Sequence, residues 1–117
     1  MADSPIIDPQ VIKNLRALNP DDNGEFLREI ISIYLEDTPL RITELDESLA
    51  SGDISRFARA AHSVKGSSAN LGAARLRDAA EKLEREAHHS GLTAVVPLVA
   101  EVRSQFDKAA AELRKFL

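Results

Sequence analysis

The chain has 117 residues, a net charge of −4 and no cysteine. This length suits a single domain, taken here as residues 1–117, and the absence of cysteine excludes disulfides, thiolate metal ligands and cysteine nucleophiles. The acidic balance argues against nucleic acid as the main partner, and no apolar run approaches the roughly 20 residues that span a bilayer.

The N-terminal segment has an acid, Asp3, where a secretory signal would be basic, and no apolar segment follows. Together with the lack of cysteine, which fits a reducing compartment, this predicts a cytoplasmic protein with no membrane association. The initial methionine favours a stand-alone protein, and the end of a larger hybrid kinase is the alternative.

The first predicted helix begins at Asp8-Pro9, where an N-cap residue precedes a proline at the first helical position, and ends at Asn19-Pro20. The second runs from about Glu25 to Ser51, and Pro39 inside it should kink or split it. Apolar residues recur at helical spacing in both, which predicts inward faces; these are Val11, Ile12, Leu15 and Leu18, then Leu27, Ile31, Tyr34, Thr38, Ile42, Leu45 and Leu49, widened by Phe26, Ile30 and Ile33.

Three more helices follow, ending near Gly72, near Gly91 and at the C-terminus. No segment alternates apolar and polar residues as a strand would. The pattern predicts an all-α fold, an antiparallel up-and-down four-helix bundle with a short additional N-terminal helix. The inward positions are Ile54, Phe57, Ala61, Val64, Ser68 and Leu71, then Leu76, Ala79, Ala80, Leu83 and Ala87, then Val95, Val99, Val102, Phe106, Ala109, Ala110, Leu113 and Leu117.

The third helix carries a histidine away from its apolar face. At about 100° per residue, His62 projects about 115° from the centre of the predicted core stripe, on the surface of the bundle. Its helical neighbours are small: Ala58 and Gly66 lie one turn away, and Ala69 lies two turns away. A glycine inside a helix costs about 1 kcal/mol relative to alanine, so we infer that Gly66 keeps the surface flat for a partner; a tight helix–helix crossing is the alternative.

The chemistry available to His62 is nucleophilic attack on a phosphoryl group. A neutral imidazole, with an ordinary pKa near 6.5, is nucleophilic at cytosolic pH. Lys65 lies one turn away on the same side and supplies a positive charge close to the phosphoryl oxygens. No Gly-rich phosphate loop accompanies the histidine, so we expect no ATP binding and no kinase activity of the chain itself.

The stretch His62-Ser63-Val64-Lys65-Gly66-Ser67-Ser68, followed by Leu71-Gly72, resembles the signature of histidine-containing phosphotransfer (HPt) domains of two-component phosphorelays. The resemblance covers most of the chain, including the helix order and the short leading helix. It implies that His62 is phosphorylated by a phospho-aspartate receiver domain or a hybrid kinase and passes the group to a response regulator.

The resemblance also implies a role for each matching position. Lys65 would neutralise the phosphoryl oxygens, and Ser68 would turn towards the core. Glu84 would occupy the position from which many family members orient the histidine, holding Nδ1–H and leaving Nε2 free. The partner would dock on the small-residue patch and on exposed apolar residues of the second helix; the patch consists of Ala58, Gly66, Ser67 and Ala69.

Two other readings of the sequence stay open. A metal site using His62, His88 or His89 lacks ligands at zinc spacing, and we interpret His88 and His89 as residues that interact with the helix dipole. A structural helical adaptor with an incidental histidine is the second alternative. For the phosphotransfer reading we expect a monomer without a cofactor, and Mg²⁺ on the partner receiver domain only.

Overall fold

The computed structural model describes residues 5–117, and the prediction made from Asp3 lies outside the described residues. This part of the chain folds into helices, without strands. The helices are α1 (Pro9–Ala17), α2 (Glu25–Ser51), α3 (Ile54–Asn70), α4 (Ala74–Ser90) and α5 (Val96–Arg114).

Local sequence signals explain several of the helix ends. The Asp8 side chain accepts from the backbone N–H of Gln10 and caps α1, and the Asp53 side chain accepts from the backbone N–H of Arg56 and caps α3. Gly52 ends α2 with a φ of 75°, a left-handed conformation that glycine adopts without steric cost. These ends agree with those predicted from the sequence.

The bundle is formed by α2 to α5, with α1 attached to α2. Packing runs from α2 to α3, from α3 to α4, from α4 to α5 and back to α2. The connections are short, so successive helices run antiparallel, which confirms the predicted architecture. The Asp8 backbone N–H donates to the Gly72 carbonyl over 2.9 Å, and a Cβ on Gly72 would lie 2.9 Å from Val11 Cβ, so this turn packs directly against the start of α1.

The core is mainly aliphatic, with Phe57 as its largest fully buried side chain. Burial of this apolar surface is the main favourable contribution to folding, at about 25 cal/mol per Å² removed from water. The predicted stripes account for most of the core, and a partly buried group packs around it, including Leu15, Ile30 and Leu49.

Four predicted inward positions are wrong. Leu18 and Leu117 lie beyond the last residues of α1 and α5, so helical spacing no longer places them on the core, and both are exposed. Ile54, in the first turn of α3, and Ile33, in α2, are exposed as well, because the neighbouring helices do not cover them.

Pro39 does not split α2, which continues as one helix to Ser51. Proline removes one backbone hydrogen bond at this point, and its exposed ring faces away from the core. None of the described helices combines the length and the apolar character that crossing a membrane requires.

Candidate functional site

His62 lies on α3 with 66% of its side chain exposed to solvent. The flanking residues Ala61 and Val64 are fully buried, so they fix the face of α3 that packs inward and leave His62 outside. This agrees with the surface position predicted from helical spacing.

A carboxylate on the neighbouring helix α4 joins His62 to Lys65. Glu84 Oε2 lies 3.0 Å from His62 Nδ1, and Glu84 Oε1 lies 2.8 Å from Lys65 Nζ. The two oxygens of one carboxylate therefore hold the histidine and the lysine of the motif together. The family resemblance implied that these three residues share one site, and the structure brings them into contact.

The contacts keep Glu84 ionised. Partial burial alone would raise the pKa of the Glu84 carboxyl, but the hydrogen bond and charge of Lys65, together with the contact to His62, hold that pKa below its usual value. An ionised carboxylate only accepts hydrogen bonds, so His62 Nδ1 carries the hydrogen. In the neutral imidazole Nε2 then has the free electron pair.

A shallow cavity of about 580 Å³ opens beside the imidazole. Its wall includes Arg59, His62, Glu84 and His88, and Ala58 also lines it. The prediction that Ala58 lies on an open surface is wrong: its side chain is buried, because α4 as well as α2 packs on α3 and widens the buried arc.

Gly66 lies on the open surface one turn after His62. A Cβ built on Gly66 would meet no atom within 4 Å, so no neighbouring helix requires a glycine here. This removes the tight helix crossing as an explanation of the residue. Ala69 is exposed on the same side, whereas Ser67 is half-buried and its hydroxyl donates to the Ser63 carbonyl over 3.0 Å.

Ser68 is fully buried, as its place in the motif implies. Its hydroxyl lies 2.8 Å from the Tyr34 hydroxyl, and this hydrogen bond joins α3 to α2 inside the core. Burial raises the pKa of the Tyr34 hydroxyl to about 12. The motif therefore contains Ser68, which is buried in the core, and His62, which faces solvent.

An apolar surface adjoins this region on α2. Ile33 is 57% exposed, and it lines a cavity of about 420 Å³ together with Ile30, Leu15 and Ser67. Leu40 on the same helix is also exposed. The face of the molecule next to α3 thus carries apolar side chains without a covering element from residues 5–117.

Of the two basic residues that line the cavity beside His62, Arg59 had no role in the sequence interpretation, and His88 was interpreted only through the helix dipole or as an unsupported metal ligand. Arg59 precedes His62 by one helical turn, and His88 follows Glu84 by one turn, so both spacings were visible in the sequence. His88 and His89 lie in the last turn of α4, where the helix dipole favours positive charge. Within residues 5–117, no group of three or more histidine and acidic side chains is placed to hold a metal ion.

Comparison with known proteins identifies the family. The Hpt domain family model matches residues 29–115. The chain is 32% identical over 82 residues to Multistep phosphorelay regulator 1 of Schizosaccharomyces pombe, covering 70% of this chain and 28% of that protein. It is also 32% identical over 65 residues to Histidine-containing phosphotransfer protein 4 of Arabidopsis thaliana, covering 54% of this chain and 51% of the plant protein.

The fold comparison agrees. The crystal structure of histidine-containing phosphotransfer protein B from Pseudomonas aeruginosa PAO1 superposes with a TM-score of 0.86 and 25% identity, over 96% of this chain and 94% of that one. The chain spans about a quarter of the yeast regulator and about half of the plant protein. The match over residues 29–115 includes the whole of the His62 site, and the chain belongs to the Hpt domain family.

Proposed function

We propose that this protein carries a phosphoryl group on His62 within a two-component phosphorelay. The group comes from the phospho-aspartate of a receiver domain or hybrid kinase and goes on to a response regulator. The observation that carries the proposal is the state of the imidazole in a member of the Hpt family: Nδ1 is held by Glu84 over 3.0 Å, while the side chain is exposed.

The transfer follows from this arrangement. The electron pair of Nε2 attacks phosphorus, the Nε2–P bond forms, and the P–O bond to the receiver aspartate breaks with its electron pair on the carboxylate. The hydrogen stays on Nδ1, so the imidazole becomes a cation beside the Glu84 carboxylate. In the onward transfer a carboxylate oxygen of the response regulator's aspartate attacks phosphorus, the new P–O bond forms and the P–N bond breaks. The imidazole departs neutral with its hydrogen still on Nδ1, so no separate proton acceptor is needed.

Lys65 is the motif cation in this proposal. It is paired with Glu84 in the unphosphorylated protein, and 27% of its side chain is exposed. The ammonium group is mobile on a flexible stem, so it can exchange the carboxylate for phosphoryl oxygens. Glu84 then keeps its contact with the positively charged imidazole.

The receiver would dock over the flat surface at Gly66 and Ala69 and extend onto the apolar residues of α2. The open space at Gly66 allows close approach, and exposed Ile33 and Leu40 provide apolar area next to α3. An exposed apolar surface next to a polar reacting group is typical of a protein interaction site. Ser67 would contribute at the boundary between the two regions.

The chain in this proposal is a carrier and not an enzyme in its own right. It has no Gly-rich phosphate loop, and its motif supplies a nucleophile and a cation. We propose that it uses no cofactor of its own and that the receiver provides Mg²⁺. A monomer is proposed because the partner needs the surface around His62, and a cytoplasmic location because the chain has no cysteine.

Transfer of labelled phosphate tests the proposal. A panel of receiver domains is loaded with labelled phosphate and mixed with the wild-type protein or with His62→Gln. The proposal predicts acid-labile, alkali-stable label on the wild type alone. Label on neither protein across the panel, with both folded by circular dichroism, would contradict it and favour a helical adaptor.

A further inference from the structure

The charged groups in contact with His62 do not fully balance the negative charge of a phosphoryl group. Glu84 and Lys65 contact each other over 2.8 Å and their charges sum to zero, so the phosphorylated imidazole, itself a cation, contributes the one net positive charge of this group. A phosphoryl group adds close to two negative charges on the imidazole. Lys65 also does not line the cavity beside the ring, so another cation has to face that space if the charge is to be balanced there.

Arg59 lines this cavity, and it also lines the neighbouring one on the α2 side, where Arg41, Glu44 and Arg56 lie. Nearby arginines on α2 and α3 are occupied, since Arg41 pairs with Glu44 over 2.7 Å and Arg56 pairs with Glu47 over 2.7 Å. Within residues 5–117, Arg59 makes no hydrogen bond or ion pair and is exposed. Its guanidinium is permanently charged and presents donors that match phosphoryl oxygens two at a time.

Helix geometry brings Arg59 to the correct side of His62. Side chains on a helix lean towards its N-terminus, so the imidazole extends over the turn that contains Ala58 and Arg59. The lining of the cavity agrees, because residues of this turn and of the preceding one, such as Ser55, share it with His62. Gly66 and Lys65 lie on the other side along the helix axis.

We propose that Arg59 binds the phosphoryl group on Nε2 of phosphorylated His62 as a second cation, opposite Lys65. This inference rests on the proposed phosphotransfer function and adds a binding residue to it. Arg59 stabilises the dianionic form of the phosphoryl group and slows its loss to water. His88 lines the same cavity from α4 and is the other basic side chain that faces it.

The test loads His62 chemically, without a receiver. Phosphoramidate serves as donor: its P–N bond breaks, ammonia leaves, and the Nε2–P bond forms. Wild type, Arg59→Gln, Arg59→Lys and the control Arg103→Gln are loaded. Arg103 lies on α5, where it pairs with Asp46, so its replacement removes the same charge elsewhere. The pKa of the phosphoryl group is read by ³¹P NMR titration and the lifetime of the phosphohistidine by decay of its signal.

The proposal predicts that Arg59→Gln raises the phosphoryl pKa and shortens the lifetime by about threefold to tenfold, the range expected for removal of one nearby, partly screened charge. Arg59→Lys changes the phosphoryl pKa and the lifetime less than Arg59→Gln does, and Arg103→Gln matches the wild type in both. The titration is repeated in His88→Gln, so that ionisation of His88 is not mistaken for that of the phosphoryl group.

Three negative outcomes are distinguishable. A wild type that loads normally, with Arg59→Gln identical to it in phosphoryl pKa and lifetime, overturns the role of Arg59 and leaves the phosphotransfer function standing. A wild type that forms no phosphohistidine under conditions that phosphorylate free imidazole overturns both. Equal effects of Arg59→Gln and Arg103→Gln would show a general charge effect and also overturn the role of Arg59.

Discussion

One carboxylate of Glu84 contacts both His62 and Lys65, and we propose that Glu84 is a positioning residue whose effect can be measured on the histidine itself. We predict that Glu84→Ala shifts neutral His62 towards the form protonated at Nε2, because Nδ1–H loses its acceptor. Glu84→Gln keeps an acceptor oxygen and should change the balance between the two neutral forms of His62 less. The ¹⁵N chemical shifts of the His62 ring measure the two forms, and unchanged shifts in Glu84→Ala would show that Glu84 does not orient the ring.

The same carboxylate gives the protein a pH-dependent contribution to stability. The folded state holds the Glu84 pKa below the ordinary value of about 4.3, so the stabilisation is fully present above that pH and is lost as pH falls through the lowered folded-state pKa. We predict that wild type is more stable than Glu84→Gln at pH 7 and that the difference shrinks below about pH 4. Thermal unfolding from pH 7 to pH 3 measures this, and a constant difference would contradict it.

Substitutions of Gly66 test the stability of the helix and the proposed docking of the receiver separately. A Cβ at this position meets open space, so Gly66→Ala should raise the free energy of unfolding by about 0.5–1 kcal/mol through helix propensity. Gly66→Gln should keep the fold and obstruct receiver docking by covering the flat surface. Chemical denaturation and label transfer from a receiver give the two readouts, and normal transfer to Gly66→Gln would refute the steric role.

At the level of elements, the buried Tyr34–Ser68 hydrogen bond ties the histidine helix α3 to α2. Ser68→Ala leaves the Tyr34 hydroxyl buried without this partner and should cost about 1–3 kcal/mol in the free energy of unfolding. The double variant Tyr34→Phe with Ser68→Ala removes both polar groups and should recover part of that loss. Denaturation of the two single variants and the double variant measures the coupling, and strict additivity would mean that the hydrogen bond contributes nothing.

The helices follow from the sequence because their signals are local. Asp8 and Asp53 cap helices, Gly52 and Gly91 end them, and apolar residues at helical spacing mark the inward faces. The wrong inward positions arise where the apolar pattern continues beyond the end of the helix, as at Leu18, or where burial depends on a neighbouring helix. Of the two outcomes predicted for Pro39, a split of α2 is wrong, because the helix continues through it with the proline exposed.

The contact between His62 and Glu84 was predictable, but the contact between Lys65 and Glu84 was not. The spacing of His62, Lys65 and Gly66 along one helix is visible in the sequence, and the family resemblance implies that Glu84 holds Nδ1–H of His62. Sharing of the Glu84 carboxylate between His62 and Lys65 depends on the distance between α3 and α4, which no local pattern encodes. Burial of Ala58 also depends on the packing of neighbouring helices and escaped prediction for the same reason.

For the whole molecule, the bundle is a packed frame that holds His62 at its surface, with Nδ1 in contact with Glu84. The interior of residues 5–117 is packed with aliphatic side chains, while the site lies on the surface of α3 and α4. Replacement of exposed His62 should therefore leave the fold intact, since surface substitutions usually change stability by less than about 0.5 kcal/mol. Loss of function in His62→Gln can then be attributed to chemistry.

The most direct measurement is the NMR identification of the nitrogen that bears phosphorus after transfer from a phosphorylated receiver. The protein is labelled with ¹⁵N in its histidine rings, and ³¹P–¹⁵N coupling locates the bond. We predict coupling to Nε2 of His62, with Nδ1 still carrying its hydrogen. Coupling to Nδ1, or to a ring nitrogen of His88 or His89, would contradict the role assigned to the Glu84–His62 contact.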